Sequence, residues 1–178
     1  MIFKESDTVF MMIDIQEKFE NLIFSMDEVI RNANILNRAT ELLDVPLIAT
    51  EQYPKGLGKT SSEIYLPENT PLIEKTQFSA YTGEMVELLR IHRRPNIIVY
   101  GVEAHVCLLQ TAMDLKKNNF NVGIVADAVS SRYVDNKLYA LTRLESLGIE
   151  IVTTEMILFE LMKSAKHPKF KEISKLIK

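Results

Sequence analysis

The sequence predicts a three-layer α/β protein, in which a doubly wound, mostly parallel sheet carries helices on both faces. Two observations support this fold class. Strand-like and helix-like segments alternate along the 178 residues, which is typical of right-handed strand-helix-strand crossovers. Most strand-like segments are short apolar runs, as expected for parallel strands covered on both faces. Because no long linker or repeat interrupts this order, we expect one domain over residues 1–178.

Each predicted strand is a short apolar run, such as Val9 to Ile13, and each predicted helix is a longer stretch with apolar residues at helical spacing. The long stretch from Gln52 to Lys75 is predicted to be an irregular loop, and Asp127 to Arg132 a turn and helix cap. In chain order the strands are Thr8 to Asp14, Pro46 to Thr50, Asn96 to Gly101, Val122 to Asp127 and Glu150 to Thr153. The helices are Met26 to Leu43, Gly83 to His92, Val106 to Asn118, Asp135 to Leu147, Glu155 to Ser164 and Pro168 to Ile177.

The composition argues against several classes of protein. With 47% hydrophobic residues the chain is neither disordered nor membrane-like. Its net charge of −3, with scattered basic residues, lacks the positive field that nucleic acid requires. A single cysteine cannot form an internal disulfide, and the first residues do not resemble a secretory signal. We therefore expect a cytoplasmic protein with neither a membrane nor a nucleic acid as its partner.

Polar residues follow the predicted strands where a parallel sheet binds ligands, at the carboxyl ends. Asp14 closes the first strand, Thr50 and Glu51 close the second, and Gly101 to Cys107 follows the third. The fourth strand ends at Asp127. The sequence therefore predicts that carboxylates, a cysteine and a polar loop meet on one rim of the sheet.

Cys107 is the candidate nucleophile, because it lies where a helix begins. Unpaired N–H groups and the helix dipole at such a position favour a thiolate and lower the thiol pKa. An inert, buried packing cysteine is the open alternative. Lys75 follows a short apolar run, where burial would lower its pKa, although taken alone it fits a surface lysine. Asp14 alone also fits a loop cap.

Several cofactor motifs are missing. The sequence contains no G-x-G-x-x-G, and Gly58-Lys59-Thr60 does not complete a P-loop because Tyr53 stands where its first glycine is required. The three histidines are widely separated, which argues against a histidine metal site. We therefore expect no cofactor and no metal.

Three ordered motifs show that the chain resembles the isochorismatase-like cysteine hydrolases, and within them the isochorismatase-domain-containing proteins. They are Ile13 to Phe19, Glu74 to Ala80 and Gly101 to Cys107. The resemblance implies that Asp14, Lys75 and Cys107 form a catalytic triad. It also implies a cis peptide bond between Val102 and Glu103, with the backbone N–H groups of Glu103 and Cys107 facing the oxyanion.

By the same resemblance, the expected activity is hydrolysis of a C–N bond of a small amide through an acyl-enzyme on Cys107. The metal-binding histidine cluster of nicotinamidases is missing, and members of the family usually form homo-oligomers. Glu51 and Glu103 near the pocket mouth favour neutral or cationic substrates over anionic ones. The residues expected to bind the substrate are Phe19, Glu51, Gln52, Tyr53, Phe78 and His105.

Two other classes of function stay open. The chain could be an interaction or scaffold protein that keeps the fold without useful turnover. It could also be a thiol redox sensor, in which Cys107 oxidises reversibly without acyl transfer.

Overall fold

A computed structural model, which describes residues 3–178, forms a six-stranded sheet in which every pair of neighbouring strands is parallel. The order of the strands across the sheet is β3-β2-β1-β4-β5-β6. Parallel pairing directs all of their carboxyl ends toward one edge, which places the predicted rim residues together. The strands are β1 (Thr8–Ile13), β2 (Leu47–Gln52), β3 (Leu72–Lys75), β4 (Asn96–Val102), β5 (Asn121–Ser130) and β6 (Glu150–Val152).

Helices cover both faces of the sheet. On one face α1, α6 and α7 contact one another, and α4 packs against α5 elsewhere. The helices are α1 (Met26–Leu42), α2 (Pro54–Leu57), α3 (Gly83–His92), α4 (Leu109–Lys117), α5 (Val134–Ser146), α6 (Thr154–Met162) and α7 (Phe170–Ile177). Shorter turns are the 3-10 helices Glu5–Asp7 and Glu17–Phe19 and the π-helical segment Ala104–Leu108. Among residues 3–178, no helix has the length and apolar character needed to cross a bilayer.

The central strands explain why the apolar runs in the sequence have so little alternation. Every residue of β1 and of β4 is buried, because helices cover both faces of these strands. The predicted fold class is therefore confirmed.

The structure corrects two predicted segments. β3 lies within the stretch that was predicted to be an irregular loop; it has only four residues, and only Ile73 and Lys75 are buried. A short, alternating edge strand has too weak a pattern to be recognised. In addition, β5 continues to Ser130, so Asp127 lies within a strand rather than in a turn. Its carboxylate accepts hydrogen bonds from the N–H and hydroxyl of Thr154, at the start of α6.

Gly101 allows the two central strands to meet closely beside the rim. It pairs with Ile13 across the sheet and has a φ of +116°. A Cβ at this position would overlap the backbone carbonyl of Ile13. Only glycine therefore combines this backbone conformation with this approach of β1 to β4.

Replacing Gly101 with alanine is expected to destabilise the protein by about 2–4 kcal/mol, because the side chain brings both backbone strain and overlap. Gly83 is a matched control, since a Cβ there meets nothing within 4 Å. Gly83→Ala is expected to change stability by no more than about 0.5 kcal/mol. Urea unfolding measures both; equal midpoints for the two variants would contradict the argument.

Candidate active site

A buried ion pair forms the centre of the rim. Asp14 directly follows β1, and Lys75 is the last residue of β3, two strands away. The ammonium Nζ of Lys75 lies 2.7 Å from Oδ2 of Asp14, and neither side chain has exposed surface. Asp14 has a left-handed backbone with a φ of 50°. Strained backbone of this kind at a non-glycine residue is frequent in functional sites.

Neighbouring strands satisfy the remaining hydrogen-bonding capacity of the pair. Lys75 Nζ also donates to Oε1 of Gln52 at 2.7 Å and to the carbonyl of Phe78 at 3.0 Å. The hydroxyl of Thr50 donates to the other oxygen of Asp14 at 2.6 Å. Because an ammonium has three donors, these contacts use all of them and fix the position of the charge.

Cys107 approaches this pair from the neighbouring strand β4. It lies in the π-helical segment that follows β4, and 6% of its surface is exposed. The peptide bond between Val102 and Glu103 is cis, as predicted. We call residues 103–108 the cysteine turn. Thr111 holds this turn in place, because its hydroxyl donates to the Cys107 carbonyl at 2.6 Å and accepts from the N–H of Ala80 at 2.8 Å.

The environment of the Cys107 thiol disfavours its charged form. Burial, followed by the negative charge of Asp14, raises the pKa of Cys107 to about 12, whereas Lys75 acts in the opposite direction. The predicted lowering of this pKa by the helix start is therefore wrong, because removal of water and a nearby carboxylate outweigh the favourable ammonium. The protonated thiol is therefore the favoured form of Cys107 at neutral pH.

Comparison with known proteins is consistent with this geometry. The family model for the isochorismatase domain matches residues 8–156, which include Asp14, Lys75 and Cys107. The chain belongs to the isochorismatase-like hydrolase family. The family assignment predicted from the three motifs is thus confirmed.

The matches to relatives with about 40% identity cover nearly the whole of this chain. Isochorismatase domain-containing protein 2 of Danio rerio is 44% identical over 171 residues, covering 96% of this chain and 86% of its own length. A solved structure of the MAR1 ribonuclease from Caenorhabditis elegans is 40% identical, with a TM-score of 0.95, and the match covers 98% of this chain and 91% of that one. The Escherichia coli YcaC gene product, an octameric hydrolase of unknown specificity, shares only the fold, with 18% identity, a TM-score of 0.86, and coverage of 98% and 88% of the two chains.

The fold brings the three proposed catalytic residues together. The residues predicted to bind the substrate lie in different environments. Gln52 contacts Lys75 directly, and Tyr53 and Phe78 are half-exposed at the rim. Phe19 is partly buried against the core. Glu51 is buried, and its carboxylate accepts hydrogen bonds from the N–H and hydroxyl of Thr60. Glu51 therefore also supports the loop after β2.

The two rim residues on the other side of Cys107 have partners on the loop that precedes α5. His105 Nδ1 lies 3.0 Å from the Ser131 hydroxyl, and its Nε2 lies 3.4 Å from the Asn136 amide nitrogen. Glu103 pairs with Arg132. Among residues 3–178, no group of three His, Cys, Asp or Glu side chains is placed to hold a metal ion.

Sequence reasoning did not assign roles to Thr50, Gln16, Thr111 and Arg132. The sequence predicted the position of Thr50 at the end of a strand. It did not predict the hydrogen bond from Thr50 to Asp14, because a hydroxyl at a strand end is common and has no distinctive sequence pattern. The amide nitrogen of Gln16 donates to the carbonyls of Gln52 and Gly58, and its amide oxygen accepts from the N–H of Gln52. These bonds tie the loop after β2 to the loop after β1. Such contacts join residues far apart in the sequence and depend on the folded backbone.

One groove on the surface of the described residues is separate from Asp14, Lys75 and Cys107. This groove of about 940 Å³ lies beside Pro95 and Phe120, which precede β4 and β5 at the amino edge of the sheet. A smaller recess of about 310 Å³ borders Lys75 and Tyr53 at the carboxyl edge. The carboxyl edge is the candidate active site, because the candidate nucleophile Cys107 and the buried ion pair are located there.

Asp14→Asn is expected to lower the pKa of Cys107, because it removes the nearby negative charge and retains Lys75. The rate of alkylation by iodoacetamide at pH 8, followed by intact mass, should therefore increase relative to the wild type. Lys75→Met should raise the pKa and slow the reaction. A slower reaction in Asp14→Asn would show that Asp14 does not oppose thiolate formation.

Replacing one member of the buried ion pair with an uncharged residue is expected to destabilise the protein by about 3–5 kcal/mol, because the remaining buried charge has no partner. Lys75→Met therefore should unfold at lower urea concentration than the wild type. The double variant Asp14→Asn with Lys75→Met should recover most of the loss, since it contains no unpaired buried charge. Equal stability of Lys75→Met and the wild type would contradict this interpretation.

Proposed function

We propose that the chain hydrolyses a C–N bond of a small amide through an acyl-enzyme formed on Cys107. The observation that carries this proposal is the unexposed Asp14 carboxylate, which is held by Lys75 and Thr50 and interacts with the Cys107 thiol. A nucleophile beside an oriented base is the arrangement that acyl transfer needs. Membership in a family of hydrolases supports the same reaction class.

In the first half of the reaction, Asp14 acts as a general base. Because the pKa of Cys107 is raised, the S–H proton moves to Asp14 as Sγ attacks the amide carbonyl carbon. The C–S bond forms and the carbonyl π electrons move to oxygen. We assign the stabilisation of this oxyanion to the backbone N–H groups of Glu103 and Cys107, which flank the turn after β4.

In the second half, the same carboxyl group returns the proton. When the C–N bond breaks, the protonated Asp14 transfers its proton to the leaving nitrogen, so ammonia or an amine departs neutral. Water then attacks the thioester, Asp14 accepts a water proton, and the proton passes to Sγ as the acid leaves. Lys75 keeps Asp14 in place and compensates its charge through both halves.

Ribonuclease activity is the second candidate, because a solved relative from Caenorhabditis elegans, which is 40% identical, is described as the MAR1 ribonuclease. RNA binding generally uses exposed basic residues that contact phosphates. In this chain the net charge is −3 and the lysine of the cluster has no exposed side-chain surface. These properties favour a small amide over RNA.

The test is a panel of small primary amides, with ammonia release and intact mass measured together. We expect turnover with at least one amide and a transient mass increase that corresponds to one acyl group. Cys107→Ala should lose turnover by at least about 10³-fold, and Asp14→Asn by about 10²-fold or more. Arg143→Gln, an exposed change on α5, is the control that should retain activity.

A labelled RNA oligonucleotide, incubated with the same variants, tests the alternative. RNA cleavage that disappears in Cys107→Ala, without amide turnover, would replace the proposed activity by a ribonuclease. If neither substrate reacts and no acyl adduct forms, the scaffold hypothesis is favoured instead.

A homo-oligomer also remains our prediction for the working form of the protein. Its support is a set of exposed, large apolar side chains near the start of α5. A backbone hydrogen bond from the N–H of Phe24 to the carbonyl of Ser131 brings the loop before α1 into this surface. The exposed apolar residues on these two segments are Leu22, Phe24, Tyr133, Val134, Leu138 and Tyr139. A surface of this composition is typical of protein contacts.

A further inference from the structure

We propose that Arg132 gives this site a preference for amides whose acyl part carries a carboxylate, an inference that rests on the proposed amide hydrolysis. Such substrates are monoamides of small dicarboxylic acids. Arg132 would be a specificity-determining residue that binds the end of the substrate remote from the reacting carbonyl.

The first support is the way in which Arg132 is held. Oε2 of Glu103 accepts hydrogen bonds from the backbone N–H of Arg132 at 3.0 Å and from its Nε at 3.2 Å. The Glu103 side chain is 8% exposed, whereas that of Arg132 is 53% exposed. The carboxylate therefore lies beneath the guanidinium and orients it, while most of the guanidinium remains accessible.

The second support is the unused donor capacity of the guanidinium. Only Nε of the side chain contacts Glu103, and within the described residues 3–178 the two Nη groups have no hydrogen-bond partner. A guanidinium presents pairs of N–H groups in a plane that matches a carboxylate. An oriented guanidinium with its outer N–H groups available is suited to bind such an anion.

The third support is the position of Arg132 relative to the reacting groups. Across the sheet Ile13 pairs with Gly101, and Val102 pairs with Ser130. Asp14, the cysteine turn and Arg132 therefore follow three successive strands, β1, β4 and β5, which are about 4.8 Å apart. A substrate centred above Cys107 would have its leaving nitrogen on the Asp14 side and its acyl chain on the Arg132 side.

The loop that carries Arg132 is also fixed to the cysteine turn by a second contact. The neighbouring Ser131 lies 3.0 Å from Nδ1 of His105, and α5 packs against the π-helical segment. Arg132 is thus tied to the segment that carries Cys107, through its own contact with Glu103 and through the contact of Ser131 with His105. Its position is set by the same turn that sets the thiol.

The surrounding charges do not support the expected preference for neutral or cationic substrates over anionic ones. Glu51 is engaged by Thr60, and Glu103 is engaged by Arg132, so neither carboxylate is unpaired. Asp14 is compensated by Lys75. Among these charged groups Arg132 is the one with a largely exposed side chain, and it would therefore make first contact with a charged substrate.

The experiment uses Cys107 itself as a reporter, since it is the only cysteine of the sequence. Iodoacetate and iodoacetamide alkylate the same thiol and differ in one negative charge. The ratio of their two rate constants is therefore independent of the thiolate fraction. In Arg132→Gln we expect this ratio to fall by roughly threefold to fivefold, as for the loss of one partly exposed charge contact. Arg143→Gln is the control and should leave the ratio unchanged.

Unpaired Glu103 could also repel iodoacetate in Arg132→Gln, so two further variants separate attraction from repulsion. Glu103→Gln frees the guanidinium and should raise the ratio above that of the wild type. The double variant, with both residues replaced by glutamine, should stay below the wild type, since it lacks the cation. A double variant equal to the wild type, or no rise in Glu103→Gln, would overturn the proposal.

Ammonia release from succinamate and succinamide tests the substrate preference and keeps the two proposals distinguishable. We expect faster hydrolysis of the anionic succinamate, and loss of this preference in Arg132→Gln. If the alkylation ratios behave as expected while neither these two amides nor any other amide of the panel is hydrolysed, the anion preference of the site stands and the proposed hydrolysis fails. Hydrolysis with no preference that depends on Arg132 would overturn the inference alone.

Discussion

The buried ion pair between Lys75 and Asp14 is the interaction on which the rest of the site depends. Each charge loses its hydration on burial, at an effective cost of several kcal/mol, so the pair is stable only with further hydrogen bonds. Thr50 and Gln52 from β2 and the carbonyl of Phe78 provide them. The edge strand β3 must therefore pair with β2, because Lys75 reaches its partners only from that position.

The same pair determines the chemistry available to Cys107. A carboxylate that is held beside a buried thiol opposes its ionisation and is also the nearest acceptor for its proton. In the proposed hydrolysis, proton transfer and nucleophilic attack would consequently be coupled, in contrast to enzymes that maintain a free thiolate at neutral pH. The reacting groups occupy the ends of β1 and β4, and Gly101 permits the close approach of these two strands.

The layered parallel fold and the positions of Asp14 and Cys107 were predictable, because apolar runs locate strands and parallel pairing aligns their ends. Lys75 was visible only as a lysine after a short apolar run, and its role came from the family resemblance, since its short edge strand has no clear pattern. Hydroxyl contacts from Thr50 and Thr111 join distant segments and leave no local signal. The direction of the Cys107 pKa was also inaccessible, because helix position is visible in a sequence but the exclusion of water is not.

The raised pKa of the single cysteine has a practical consequence for biophysical work. Burial and the Asp14 carboxylate raise the pKa of Cys107 above that of an ordinary thiol, so a smaller fraction of it is ionised at pH 7. An added surface cysteine with an ordinary pKa near 8.5 would be ionised to about 3% under the same conditions. Maleimide dyes or spin labels would therefore react faster with the added site than with Cys107, so a short reaction time at neutral pH would direct the label to the added site in the otherwise native protein.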